Sequence, residues 1–213
     1  MYSIQEIEEG LTHTDWHVRF RWANIKEFIP TPEQIERGLT DARMEVRAVW
    51  AEREDFIPTP EQVERGIRDK DNFVKLSWAG RENWTPTPEQ IELGLTDASE
   101  VIRWAWARRM DFTPTPEQIE RGLTDDDLWV RQVWVRRMDF TPTPEQAERG
   151  VLDTDHEAII EWLKRDDIEW SSKQIQRGLQ HISDKVRLEW ERVLIRQNER
   201  STGVPNGEGI YTI

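Results

Sequence analysis

The chain has 213 residues, a formal net charge of −13, 12 tryptophans and no cysteine. The charge counts against free nucleic acid as a direct partner, because phosphate binders gain affinity from clustered Lys and Arg. It favours a protein partner with a basic or mixed surface. The missing cysteines exclude disulfide and thiol chemistry and permit a cytoplasmic location.

Met1-Tyr2-Ser3-Ile4 runs into the first structural unit with no basic stretch or apolar signal core. No apolar run approaches the roughly 18 residues of a spanning helix, so no membrane association is expected. Seven glycines then recur every 28 residues: Gly10, Gly38, Gly66, Gly94, Gly122, Gly150 and Gly178. Each is followed twelve residues later by a tryptophan: Trp22, Trp50, Trp78, Trp106, Trp134, Trp162 and Trp190. Such self-similarity marks stacked copies of one supersecondary unit. The array fills residues 1–199 as one domain, and residues 200–213 are expected to form a flexible C-terminal tail.

Residues 31–58 show how one unit is built. Thr31 suits an N-cap, Pro32 the first helical position and Gln34 the third position of a capping box. Ser or Thr fills the cap site in every unit, and proline follows it in five; the terminal units carry Ile4 and Ser172 instead. The first helix is short, with Ile35 and Leu39 apolar and Gly38 on the same stripe. Glu33 and Arg37 are placed to pair across its outer side. A glycine inside a helix costs roughly 1 kcal/mol against alanine. Its recurrence is expected to make room for the paired tryptophan against the backbone.

The second helix is expected from about Glu45 to Glu54, burying Val46, Trp50 and the aliphatic stem of Arg53. Phe56 and its equivalents Phe28, Trp84, Phe112, Phe140 and Ile168 are expected to plug the seam between units. Prolines 30, 58, 86, 114 and 142 set an extended link to the next cap.

Asp41 and Arg47 stand six apart, a spacing repeated in Asp69/Lys75, Asp97/Arg103 and Asp125/Arg131. At Asp153/Ile159 the base is lost, and His13 and His181 replace the acid before Arg19 and Arg187. The segments Leu39–Arg47 and Leu123–Arg131 resemble the inter-helix turn of HEAT and HEAT-like repeats. In that family a turn Asp and an Arg after valine form a ladder between neighbours. The resemblance implies an all-α fold: a right-handed α-solenoid of seven two-helix HEAT-like repeats. It departs from the family in the Thr-Pro-Glu-Gln opening, the mid-helix glycine and the tryptophan. The arginine column is read as structural, each member bonding a turn carboxylate in its own or the next unit. The tryptophan column is read as core.

No catalytic centre, cofactor site or metal site is expected, and the chain is read as a non-enzyme. His13 and His17 are four apart but fall across a turn without a third ligand. No phosphate loop, HExxH or GxSxG occurs. Acids such as Asp125-Asp126-Asp127 sit at turns, where carboxylates cap helices.

Binding is expected on the second-helix face, at positions that vary between units. Seven residues after each glycine come His17, Glu45, Phe73, Val101, Trp129, Glu157 and Lys185. Ten after come Phe20, Ala48, Leu76, Trp104, Gln132, Ile160 and Leu188; fourteen after come Asn24, Glu52, Gly80, Arg108, Arg136, Lys164 and Arg192. Phe73, Leu76, Val101, Trp104 and Trp129, edged by Arg108 and Arg136, therefore form the candidate binding patch. The same columns would also suit half-buried positions between helices, and that alternative stays open. Trp16 and Trp170 likewise stand where other units are polar or small.

The leading functional expectation is a protein-binding scaffold. A second is an acidic decoy of nucleic acid, of the type that phage or plasmid inhibitors use against nucleic-acid-binding proteins. A third, by fold analogy, is a HEAT-like nucleic-acid-modifying enzyme, which would need a basic groove.

Overall fold

The computed structural model describes residues 2–202. Among them are fourteen helices and no strand. They fall into two compact units, one ending at Thr113 and one beginning at Pro114. The first unit holds α1 (Ile4–Leu11), α2 (Trp16–Ala23), α3 (Pro32–Leu39), α4 (Met44–Ala51), α5 (Pro60–Ile67), α6 (Asn72–Ala79), α7 (Pro88–Leu95) and α8 (Glu100–Ala107). The second holds α9 (Pro116–Leu123), α10 (Leu128–Arg136), α11 (Pro144–Gly150), α12 (His156–Lys164), α13 (Ser172–Gly178) and α14 (Asp184–Thr202). The fold class is an α-solenoid of seven two-helix repeats. Within each unit the odd helices pack on their even partners, and each even helix packs on the next even one. Of the expected tail, residues 203–213 lie outside the described residues, and α14 itself continues to Thr202.

Local chemistry sets the helix ends. All seven odd helices open with a complete capping box, the cap hydroxyl accepting from the third amide and that residue's side chain accepting from the cap amide. Four even helices open on Asp15, Asp71, Asp127 and Asp155, whose carboxylates accept the amide two residues on, while α4 and α8 open on Arg43 and Ser99 without a side-chain cap. The even helices before α14 are shorter than expected: α4 stops at Ala51, so Arg53 lies beyond it. Arg53 is therefore not an aliphatic stem on a helical stripe.

The glycine and tryptophan columns meet as expected. A Cβ on any of the seven repeat glycines would come closer than 3.0 Å to the indole twelve residues on. Trp50, Trp78 and Trp106 are buried in the first unit, and Trp134, Trp162 and Trp190 in the second. Trp22, at the start of the array, is half-buried and packs edge-on against Tyr2 at 5.0 Å.

Three polar ladders join successive repeats. In the first, Arg47 donates to both oxygens of Asp69 at 2.7 and 2.8 Å and to its own turn's carbonyls at Asp41 and Ala42. Arg19–Asp41, Lys75–Asp97 and Arg131–Asp153 repeat the pairing. In these four pairs the carboxylate is the next repeat's, whereas Arg187 in the last repeat pairs with Asp184 of its own. Burial works to raise the carboxyls of Asp41 and Asp69. The facing arginines and the amides of Arg43 and Asp71 outweigh it and hold both below the usual carboxylate range.

In the second ladder, glutamates of one odd helix accept from a glutamine and an arginine of the next. Glu8 takes Gln34 at 3.2 Å and Arg37 at 2.6 Å, so Arg37 reaches back a repeat. Glu36 takes Gln62 and Arg65, and Glu148 takes Gln174 and Arg177. Each of these glutamines also completes its own capping box, so one side chain caps a helix and ties two repeats.

The third ladder is the buried one. Arg53 is 0% exposed. It donates to the carbonyls of Ala23, Ile25 and Phe28 in the preceding repeat and pairs with Asp55 at 2.5 and 3.0 Å. Its guanidinium lies 4.8 Å over the Phe28 ring and 5.2 Å over Trp50. Arg109 repeats the pattern in the first unit and Arg165 in the second. Ala23 and Ala79 are the last residues of α2 and α6, so these arginines cap the preceding repeat's helix.

Candidate functional site

The candidate patch residues of the first unit lie on α6, α8 and the turn after α8. Phe73, Leu76 and Trp104 line one groove of about 860 Å³. Phe73 is 66% exposed, while Leu76 and Trp104 are half-buried. Arg108 stacks its guanidinium 4.5 Å above the Trp104 ring, closing one side of the groove. Val101 is exposed on α8 but is not part of the groove wall.

The second unit's candidates behave differently. Trp129, at the start of α10, is 62% exposed, its amide held by Asp127. Arg136 donates to the buried carboxylate of Glu161 at 2.8 Å, so it serves an inter-helix ion pair. Burial works to raise the Glu161 carboxyl, but Arg136 and Lys164 outweigh it and hold it low. Gln132 and Ile160, which share Trp104's place in the repeat, are buried. The tenth-residue column is therefore half-buried or buried at these positions, and Phe73 and Trp129 are its exposed neighbours.

A difference between neighbouring even helices explains why a groove exists. The side chain fourteen residues after one glycine faces the one eleven after the next. Glu52 accepts from the Ser77 hydroxyl at 2.9 Å, and Arg136 reaches Glu161. Between α6 and α8 the corresponding residues are Gly80 and Ala105, and both line the groove. No side chains bridge there, so space is left between Leu76 and Trp104. Gly80 was visible in the sequence as the one short residue in a column of long ones. Ala105's position opposite it was not, because that pairing depends on how the repeats stack.

The groove's rim is acidic. Glu52, Glu54 and Glu82 are exposed along it, with Asp111 beside Arg109. Arg81 also borders it but is buried, donating to the carbonyls of Ala51 and Phe56. Where other members of its ladder meet Asp, it meets Asn83. Burial pushes Arg81 down to about 10, partly offset by the charges of Glu54 and Asp55.

The second unit has a larger cleft of about 1070 Å³ beside α11. The three arginines of its walls are held in ion pairs: Arg131 with Asp153, Arg149 with Glu120 and Arg177 with Glu148. The other tryptophans singled out by the sequence have local partners. Trp170 is buried against Trp190 at 5.3 Å, and Trp16 stacks on His17 with Arg43 4.6 Å above it. His13 accepts the Asp15 amide through Nδ1, and His17 meets the Asp15 carboxylate. Among the described residues no helix is long and apolar enough to cross a membrane. No group of three or more His, Asp or Glu among them is placed to hold a metal ion.

No protein-family model matches the chain, and no curated protein does. Among the solved structures similar in fold is a leucine-rich repeat variant with a novel repetitive protein structural motif. It shares 20% identity over 88% of this chain and 79% of its own, with a TM-score of 0.53. The likeness concerns the fold alone: both chains are built from structural repeats.

Proposed function

We propose that the chain is a non-enzymatic scaffold that binds a protein of basic or mixed surface, with the α6–α8 groove as a principal contact. The supporting observation is the placement of Phe73 and Trp104 around an open groove at a junction where no side-chain bridge closes the surface. Tryptophan and arginine are enriched at interface hot spots, and here Arg108 lies on the half-buried Trp104. The absence of cysteine suits a cytoplasmic setting. The test is capture of a partner from lysate by the wild type and by the Phe73→Ala/Trp104→Ala double variant. Loss of the captured protein, with an unchanged helical circular dichroism spectrum, supports the reading. Undiminished capture removes the groove from it.

The acidic-decoy reading has one observation of its own. Glu33, Glu61 and Glu89 stand exposed in the first turns of α3, α5 and α7, one carboxylate per repeat. Their own helix amides and the cap threonines hold all three below the usual carboxylate range, so they stay charged. If Glu-to-Gln changes at these positions abolish capture while the aromatic pair is silent, the decoy reading takes precedence. Turnover of a nucleic-acid substrate by the purified protein would instead favour the enzyme reading.

A further inference from the structure

We infer that the α6–α8 groove is a socket for a short peptide segment carrying a bulky apolar side chain next to lysine or arginine. The inference rests on the scaffold reading and goes beyond it by stating what the groove selects.

The shape argument starts at Gly80. Its φ is −79°, in the ordinary right-handed region, so its backbone does not require glycine. A Cβ there would meet only the carbonyl oxygens of Leu76 and Ser77, at 3.6 and 3.9 Å. The repeat glycines differ, since each is needed to admit an indole. Gly80 is explained neither by conformation nor by internal packing; what its smallness does is keep the groove open. The walls are Leu76 and Trp104, the floor Gly80 and Ala105. Such a site takes an apolar side chain that is long enough to reach the floor.

The charge argument selects its neighbour. The buried guanidiniums of Arg81 and Arg109 are turned toward backbone carbonyls. At the mouth, the exposed carboxylates of Glu52, Glu54 and Glu82 face one exposed cation, Arg108, which lies on Trp104. An anionic segment would meet these carboxylates unpaired, whereas a lysine or arginine beside the apolar anchor would be matched. A second copy of the chain is a poor occupant, since both copies carry a net charge of −13.

The experiment is fluorescence polarisation with three labelled peptides: one alternating lysine with leucine and tryptophan, its glutamate counterpart and its serine counterpart. The lysine peptide is expected to bind at least about tenfold more tightly than the glutamate peptide, with an affinity that falls as salt rises. Gly80→Leu fills the socket and is expected to weaken that binding about tenfold or more while the melting temperature holds. Glu52→Gln/Glu82→Gln, which leaves the socket open, is expected to remove most of the lysine-over-serine preference. The proposal is overturned if the glutamate peptide binds as well, if both variants are silent, or if the lysine peptide fails to bind at about 1 mM. Those results would leave the scaffold reading to stand or fall on the Phe73/Trp104 capture assay, which uses none of these peptides and neither of these two variants.

Discussion

The indole of Trp106 lies against Gly94 so closely that a Cβ on residue 94 would fall within 3.0 Å of its ring atoms. Alanine is the better helix former by about 1 kcal/mol, yet here it must displace a ring that is 1% exposed and held on all sides. Overpacking of this kind costs roughly 1–3 kcal/mol, so Gly94→Ala is expected to lower stability. Thermal melts of the two proteins decide it. A raised melting temperature would mean that the ring moves freely and that the glycine column has another cause.

Arg53 offers a sharper test of what joins the repeats. Removing its guanidinium leaves three backbone carbonyls and the Asp55 carboxylate without their donor. Arg53→Met keeps the apolar stem and is expected to cost on the order of 2–4 kcal/mol. Arg53→Lys is expected to recover only a small part, because an ammonium cannot span three carbonyls and a bidentate carboxylate. Urea titrations of both variants measure this. A lysine variant as stable as wild type would reduce the column to simple charge pairing.

Much of this framework was legible in the sequence, and the omissions share one physical cause. Caps, proline links and the glycine–tryptophan match are set within one repeat, so a local pattern reveals them. The end of α4 is not. The final carbonyl of that helix, at Ala51, is satisfied by Arg81 of the next repeat at 2.8 Å. A helix reading from the window around Arg53 therefore runs too far and leaves the Arg-x-Asp recurrence unremarked. The direction of the Asp/Arg ladder was open for the same reason, since own-repeat and next-repeat carboxylates have equal standing in one dimension. At the candidate site, Phe73, Leu76 and Trp104 were found from column variation. The groove between them was not, because it depends on Gly80 facing Ala105.

The Asp/Arg ladder makes stability depend on acid pH. Asp41 and Asp69 have folded pKa values below their unfolded ones, so the unfolded chain binds protons first as pH falls. Their contribution is fully present above the unfolded carboxylate range, about pH 4, and is lost as pH drops through the folded values. Arg47→Ala is expected to destabilise the protein near neutrality by about 2 kcal/mol and to flatten the acid limb of the stability curve. Denaturant midpoints between pH 3 and pH 7 measure both effects, following roughly the range of carboxylate titration. An unchanged acid limb would place the acid sensitivity elsewhere.

His181 gives an opposite residue type with the same sign. Burial lowers its pKa first, and the nearby charges of His156 and Arg187 lower it further. Its Nδ1 accepts the Ser183 amide at 3.1 Å, a role that needs the neutral ring. A depressed folded pKa means that this contribution is present above the unfolded value, about 6.5, and is lost as pH falls through the folded one. His181→Asn retains an acceptor that does not titrate, and is expected to remove the part of the stability change that begins below about pH 6.5. If the midpoints of the two proteins track each other with pH, the ring is not the titrating element.

The two exposed-face tryptophans separate binding from folding. Trp129 is 62% exposed, so Trp129→Ala is expected to change stability by no more than about 0.5 kcal/mol. Trp104 is half-buried and carries Arg108, so Trp104→Ala is expected to cost more, while the buried ladder through Arg109 remains intact. If the scaffold reading holds, truncating the indole at an interface centre costs about 2 kcal/mol or more in binding, close to thirtyfold in affinity. A titration of each folded variant against a captured partner distinguishes the roles. Loss at Trp104 alone confines the contact to the first unit, and loss at Trp129 as well extends it to the second. Silence at both, with loss on neutralising Glu33, Glu61 and Glu89, moves recognition to the acidic first-helix row.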